Sequence, residues 1–94
     1  MENPLATKLV AYDLSKPGQN YVGLIEYLKS FSSWAHIEQS VWAVVTNMSD
    51  ADVRDKVATY LDNNDKLIVI NITGDTAAWR GLPNDVSDWL KANL

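Results

Sequence analysis

The chain contains no cysteine. That absence removes disulfides, thiolate metal sites and a cysteine nucleophile, and it accords with a cytoplasmic location. Basic charge is also scarce, with eight Lys and Arg against twelve Asp and Glu and a net charge of −4. A surface that grips a duplex by its phosphates needs clustered cations. Here they are scattered, so nucleic-acid binding is expected to be weak or absent unless a dimer gathers Lys16, Lys29 and Arg54. Long hydrophobic runs are missing too. The longest are strand-sized, too short to cross a membrane, and Met1 to Ala6, with Glu2 and Pro4, does not read as the start of a signal peptide. Zinc-finger spacing, a dinucleotide fingerprint and the aromatic signature of RNA-binding sheets are absent. Ser15-Lys16-Pro17-Gly18 follows a strand, but it lacks the glycine-rich spacing that aims several N–H groups at a phosphate.

What is present suits one domain over residues 1–94. Of these residues 47% are hydrophobic, enough for a single core. Four tryptophans and four tyrosines either fill core and sheet or supply rigid anchors of a contact surface. On the second account, Trp42, Trp79 and Trp89 are the candidate interaction residues.

The order of apolar segments carries the fold. Thr7 to Leu14 is a nearly unbroken apolar run, the pattern of a strand covered on both faces, and the turn residues through Pro17-Gly18 end it. A helix is expected to open at Gln19 or Asn20, with Tyr21, Leu24, Ile25, Leu28 and Phe31 on its buried stripe. Two strands follow, over Ala35 to Glu38 and Val41 to Thr46, with a reversal or bulge at Gln39-Ser40. Ser49 and Asp52 form an Asp variant of the capping box, with Met48 and Val53 at the staple positions. Val53, Val57, Tyr60 and Leu61 are the buried stripe of that second helix. Lys66 to Thr73 is the last strand, Gly74 to Asn84 a loop, and a short helix capped by Asn84 or Asp85 carries Val86, Trp89 and Leu90 on one stripe.

This β-α-β-β-α-β order predicts a ferredoxin-like α+β sandwich with a short C-terminal helix and strand order 4-1-3-2. The expected core is Val10, Tyr12, Leu24, Ile25, Leu28, Val44, Val53, Val57, Leu61, Ile68 and Ile70. In the last strand, Ile68, Ile70 and Ile72 face one side and Leu67 and Val69 the other. Two helices cover one face of a four-stranded sheet, so the tail or a partner must cover the second.

Among reactive groups, Asp13 stands at the carboxyl end of the first strand. It is the one candidate for both a catalytic and a metal-binding role, because a carboxylate supplies the hard oxygen that Mg²⁺ prefers. One carboxylate is a poor site, and help would have to come from Asp75, a substrate phosphate or a symmetry-related Asp13. The plainer expectation is that Asp13 accepts hydrogen bonds from the turn. His36, the only histidine, lies between Trp34 and Ile37, without Ser-His-Asp spacing, and is expected to be a packed or edge side chain. No resident cofactor is expected.

Tyr12-Asp13-Leu14, the element order and Gln39-Ser40-Val41-Trp42 together resemble the small subunit of the CRISPR adaptation integrase, whose relatives include VapD-type toxins. Over the whole chain, Tyr12-Asp13-Leu14, Lys16-Pro17-Gly18-Gln19, Asn64-Asp65, Thr73-Gly74-Asp75 and Trp89-Leu90 resemble the small SinR-like proteins. The resemblance implies a homodimer that bridges protein partners. It also implies, for some members, a metal-dependent nuclease whose metal-binding aspartate maps onto Asp13. Two departures weigh against nuclease activity and duplex binding: Gln39 and Ser40 are adjacent, one residue short of the family spacing, and Gly18 to Tyr21 replaces an Arg-rich helix start. The expected function is therefore a non-catalytic homodimeric interaction module. The alternative is a Mg²⁺-dependent nuclease acting on RNA or DNA, with Asp13 paired across the two-fold.

Overall fold

The computed structural model describes residues 4–16 and 21–94. Strand β1 (Ala6–Asp13) leads through helix α1 (Val22–Lys29) to β2 (Ser33–Glu38) and β3 (Val41–Thr46). Helix α2 (Asp50–Ala58), strand β4 (Lys66–Asn71) and helix α3 (Asn84–Asn93) complete the chain. The strands form one antiparallel sheet in the order β2-β3-β1-β4. This is the ferredoxin-like arrangement with a C-terminal helix added, and β1 and β3 are central. None of the helices in the described residues is long and apolar enough to cross a membrane.

Register decides which residues meet the helices. Val10 lies opposite Trp42 and Val69, and Lys8 opposite Val44 and Asn71. Since side chains alternate between faces, Lys8, Val10, Tyr12, Trp42, Val44, Leu67 and Val69 share the face toward α1 and α2. There Val10, Trp42 and Val44 are fully buried with Leu28, Val53 and Val57, and Leu24 and Tyr12 join the same cluster. Trp42, expected to be an interaction anchor, is instead the largest buried side chain. That expectation is corrected: no part of Trp42 is available to a partner.

The helices show why the sequence folds this way locally. The Ser49 hydroxyl accepts the Asp52 N–H at 3.1 Å, as the capping pattern predicts. In α1, Leu24 and Leu28 turn inward, while Ile25 is exposed and does not belong to the core. The expected opening of α1 at Gln19 or Asn20 lies outside the described residues. Gly23 lets the helices approach closely, because a Cβ there would stand 3.1 Å from the Tyr60 ring. Between β2 and β3 the chain has both devices the sequence suggested, a turn at Gln39-Ser40 and a bulge between His36 and Glu38.

After β4 the chain turns at Gly74, whose φ of 74° suits glycine, and reaches α3. Pro83 precedes this helix and no side chain caps it, so neither Asn84 nor Asp85 plays the expected capping role. Val86 and Leu90 pack on Ala35 of β2, with Trp89, Trp79, Ile37 and Leu82 around them. This small second core lies on the sheet face opposite α1 and α2, because Ala35 pairs with Ala43 and belongs to the other alternation.

Candidate functional site

Asp13 is exposed at the end of β1, directly across the ladder from Lys66. A lone carboxylate is a poor cation site, and the residue paired with it across the ladder is a lysine rather than a second oxygen donor. Asp75 gives no help. Its N–H bonds to the Ile72 carbonyl, and the Ile72 N–H bonds to the Thr7 carbonyl. Asp75 therefore stands at the Thr7 end of β1, about 20 Å from Asp13 at strand rise. Among the described residues, no three His, Asp or Glu side chains gather in a group that could hold a metal ion.

The carboxylate that organises this end of the molecule is Asp65, which the sequence offered only as part of a family motif. Its Oδ1 accepts the Ser15 N–H at 2.7 Å and the Ser15 hydroxyl at 2.9 Å. Its Oδ2 accepts the Asp62 N–H at 2.7 Å and the Tyr21 hydroxyl at 3.1 Å. Asp65 thus does what was expected of Asp13, tying the exit of β1 to the start of α1 and the end of α2. The Ser15 N–H contributes most to holding its carboxyl below the usual aspartate range, with Asp62 and Tyr21 assisting against partial desolvation.

A second polar network lies above β3. The Trp42 indole N–H donates to the Tyr12 hydroxyl at 3.0 Å, and His36 stacks on Trp42 with ring centroids 3.8 Å apart. Nε2 of His36 stands 3.2 Å from the Gln39 carbonyl oxygen. Burial raises the Tyr12 phenol above its ordinary value. His36 is therefore an edge histidine on an aromatic stack, and its recorded partners among the described residues are Trp42 and the Gln39 carbonyl. The Gln39-Ser40 turn serves structure as well, because the Ser40 carbonyl accepts the Tyr12 N–H at 3.1 Å.

The feature best suited to recognition is the second sheet face. Helix α3 covers its β2–β3 half, where Ala35 and Ala43 are buried. Trp89 donates to the Ser33 hydroxyl at 2.9 Å and Trp79 to the Ser87 hydroxyl at 3.0 Å. Both rings thus serve the tail's own packing. Among the described residues, nothing comparable covers the β1–β4 half. Leu9 pairs with Ile70 and Ala11 with Ile68 across the ladder, and Ile68 and Ile70 remain 54% and 42% exposed. Both isoleucines were expected in the core. Alternation placed them correctly on one face, but it carries no information on which face is covered.

Each of the three cations that a dimer was expected to gather already has a neighbour in its own chain. Lys16 lies 3.7 Å from Asp62, Arg54 pairs with Asp55 at 2.9 Å, and the Lys29 ammonium sits 5.7 Å from the centre of the Trp34 ring. No family model matches the chain, nor does any curated protein or solved structure.

Proposed function

We propose that the chain is a non-catalytic interaction module that works as a homodimer, in the manner of the CRISPR adaptation small subunit that its motifs resemble. The observation that carries this reading is the half-covered second face. The tail closes the β2–β3 half and leaves Leu9, Ala11, Ile68 and Ile70 as a contiguous apolar strip. Such strips mark interaction sites, because water contact with clustered apolar groups is unfavourable. The paired molecule would offer its remaining surfaces to a further protein partner.

The competing reading, a Mg²⁺-dependent nuclease, needs more oxygen ligands than Asp13 supplies, and its partner across the ladder is a lysine. The donor set fits that metal poorly, and no step is derived through it. Light scattering on the purified chain tests the leading reading, which expects twice the chain mass at micromolar concentration. A strict monomer would remove it. Nuclease activity lost in EDTA and in Asp13→Asn would replace it with the competing reading.

A further inference from the structure

We infer that two copies join edge to edge along β4, antiparallel about a two-fold axis at Val69, so that two four-stranded sheets become one. This rests on the homodimer reading above and specifies its geometry. Strand β4 is an outer strand. It carries few of the devices that normally blunt a sheet edge: its six residues, Lys-Leu-Ile-Val-Ile-Asn, include no proline, no bulge is present in its pairing, and its one charge, Lys66, lies at the first residue.

The backbone fixes the register. Ile72 donates to the Thr7 carbonyl at 2.9 Å. In an antiparallel ladder the inward-facing groups alternate, so Ile70, Ile68 and Lys66 also turn toward β1. Leu67, Val69 and Asn71 turn their N–H and C=O groups to the free edge. A two-fold at Val69 sets Val69 against itself and Leu67 against Asn71 of the partner subunit, and every such pair can exchange both hydrogen bonds. A slip of one residue would set outward groups against inward ones and lose them all. The same register places Ile68 beside Ile70 of the partner subunit as a non-hydrogen-bonded pair, the closest side-chain approach in a sheet. Each isoleucine thereby gains a cross-strand neighbour along one flank, while the strip of Leu9, Ala11, Ile68 and Ile70 still faces outward. Asp50 and Arg54 of α2 flank Leu67, Ile68 and Val69 along this edge. Each is paired within its own chain, Asp50 with Lys8 and Arg54 with Asp55, so neither presents an unpaired charge to a second copy.

One consequence separates this arrangement from a shared metal site. Asp13 lies opposite Lys66, so the two Asp13 residues stand about 25 Å apart by strand rise and spacing. They cannot share a cation.

Asn71→Pro removes an edge N–H while leaving the bonds to β1 intact, since that N–H faces outward. The expected result is a dimer for the natural chain and a monomer for Asn71→Pro by light scattering, with unchanged far-ultraviolet circular dichroism. If Asn71→Pro dimerises as well as the natural chain, edge pairing is wrong although the homodimer reading stands. A monomeric natural chain overturns both. Should Asn71→Pro fail to fold, a spin label at Asp13→Cys decides, because the chain has no other cysteine. A separation near 25 Å is expected, and one below about 15 Å would overturn the arrangement.

Discussion

The indole N–H of Trp42 donates to the hydroxyl of Tyr12 at 3.0 Å, joining β3 to β1 inside the helix-covered core. Trp42 is fully buried, and its N–H is a donor with no water to turn to. Tyr12→Phe keeps the ring but removes the acceptor. It is expected to lower stability by about 1–3 kcal/mol, the cost of an orphaned buried donor. Urea unfolding followed by tryptophan fluorescence measures it. A loss below about 0.3 kcal/mol would show that the bond contributes nothing net.

Asp65 makes the lower stability limit sensitive to acid. Its folded-state carboxyl titrates below the unfolded value because the Ser15 N–H, foremost, bonds to the charged form. A depressed carboxyl contributes stability that is complete above the unfolded value, about 3.9. That contribution is lost as pH falls through the lower folded value. Asp65→Asn should lower stability at neutral pH and flatten this acid limb, because the amide has no charge to titrate. Denaturation midpoints between neutral and strongly acidic pH check the effect. An unaltered acid limb in Asp65→Asn would assign it to other carboxylates.

Much of the fold was legible because each element announced itself locally. The cap at Ser49 predicts its own hydrogen bond, and the β3 span of Val41–Thr46 follows from a bounded apolar run. Asp65 was opaque for the opposite reason. Its partners Ser15 and Tyr21 are 50 and 44 residues away, and no local pattern reports such a meeting. Trp42 looked like surplus aromatic surface until register set it opposite Val10. Ile68 and Ile70 were misjudged because a strand with two apolar faces reads the same whether its cover comes from its own chain or from another.

Lys8 and Asp50 form an ion pair at 2.5 Å whose two members differ in exposure, the lysine side chain being 6% exposed and the aspartate 52%. The lysine bears most of the desolvation. Asp50→Asn strands that buried ammonium and is expected to cost about 1–3 kcal/mol. Lys8→Met removes the charge along with the need for a partner and should stay within about 1 kcal/mol of the natural chain. Thermal unfolding of both variants tests the asymmetry. Equal losses would mean that the pair is held by geometry rather than by the demand of the buried charge.

The tail is expected to be part of the folded unit. Helix α3 has ten residues, too few to persist alone in water, so its order must come from packing. Val86 and Leu90 rest on Ala35, the Trp89 N–H reaches Ser33, and the Thr7 hydroxyl donates to the Asn93 carbonyl. The helix is thereby fastened to both β2 and β1. Trp89→Ala removes a partly buried ring together with its hydrogen bond, a loss of about 2–4 kcal/mol. Truncation after Asn84 would go further, opening Ala35 and Ala43 to water and extending the uncovered apolar strip across the sheet. The truncated chain should melt at a lower temperature, bind a hydrophobic dye and form larger species than the natural chain does. If its melting temperature and oligomer size match those of the natural chain, α3 contributes nothing to the fold and the second face is stable without cover.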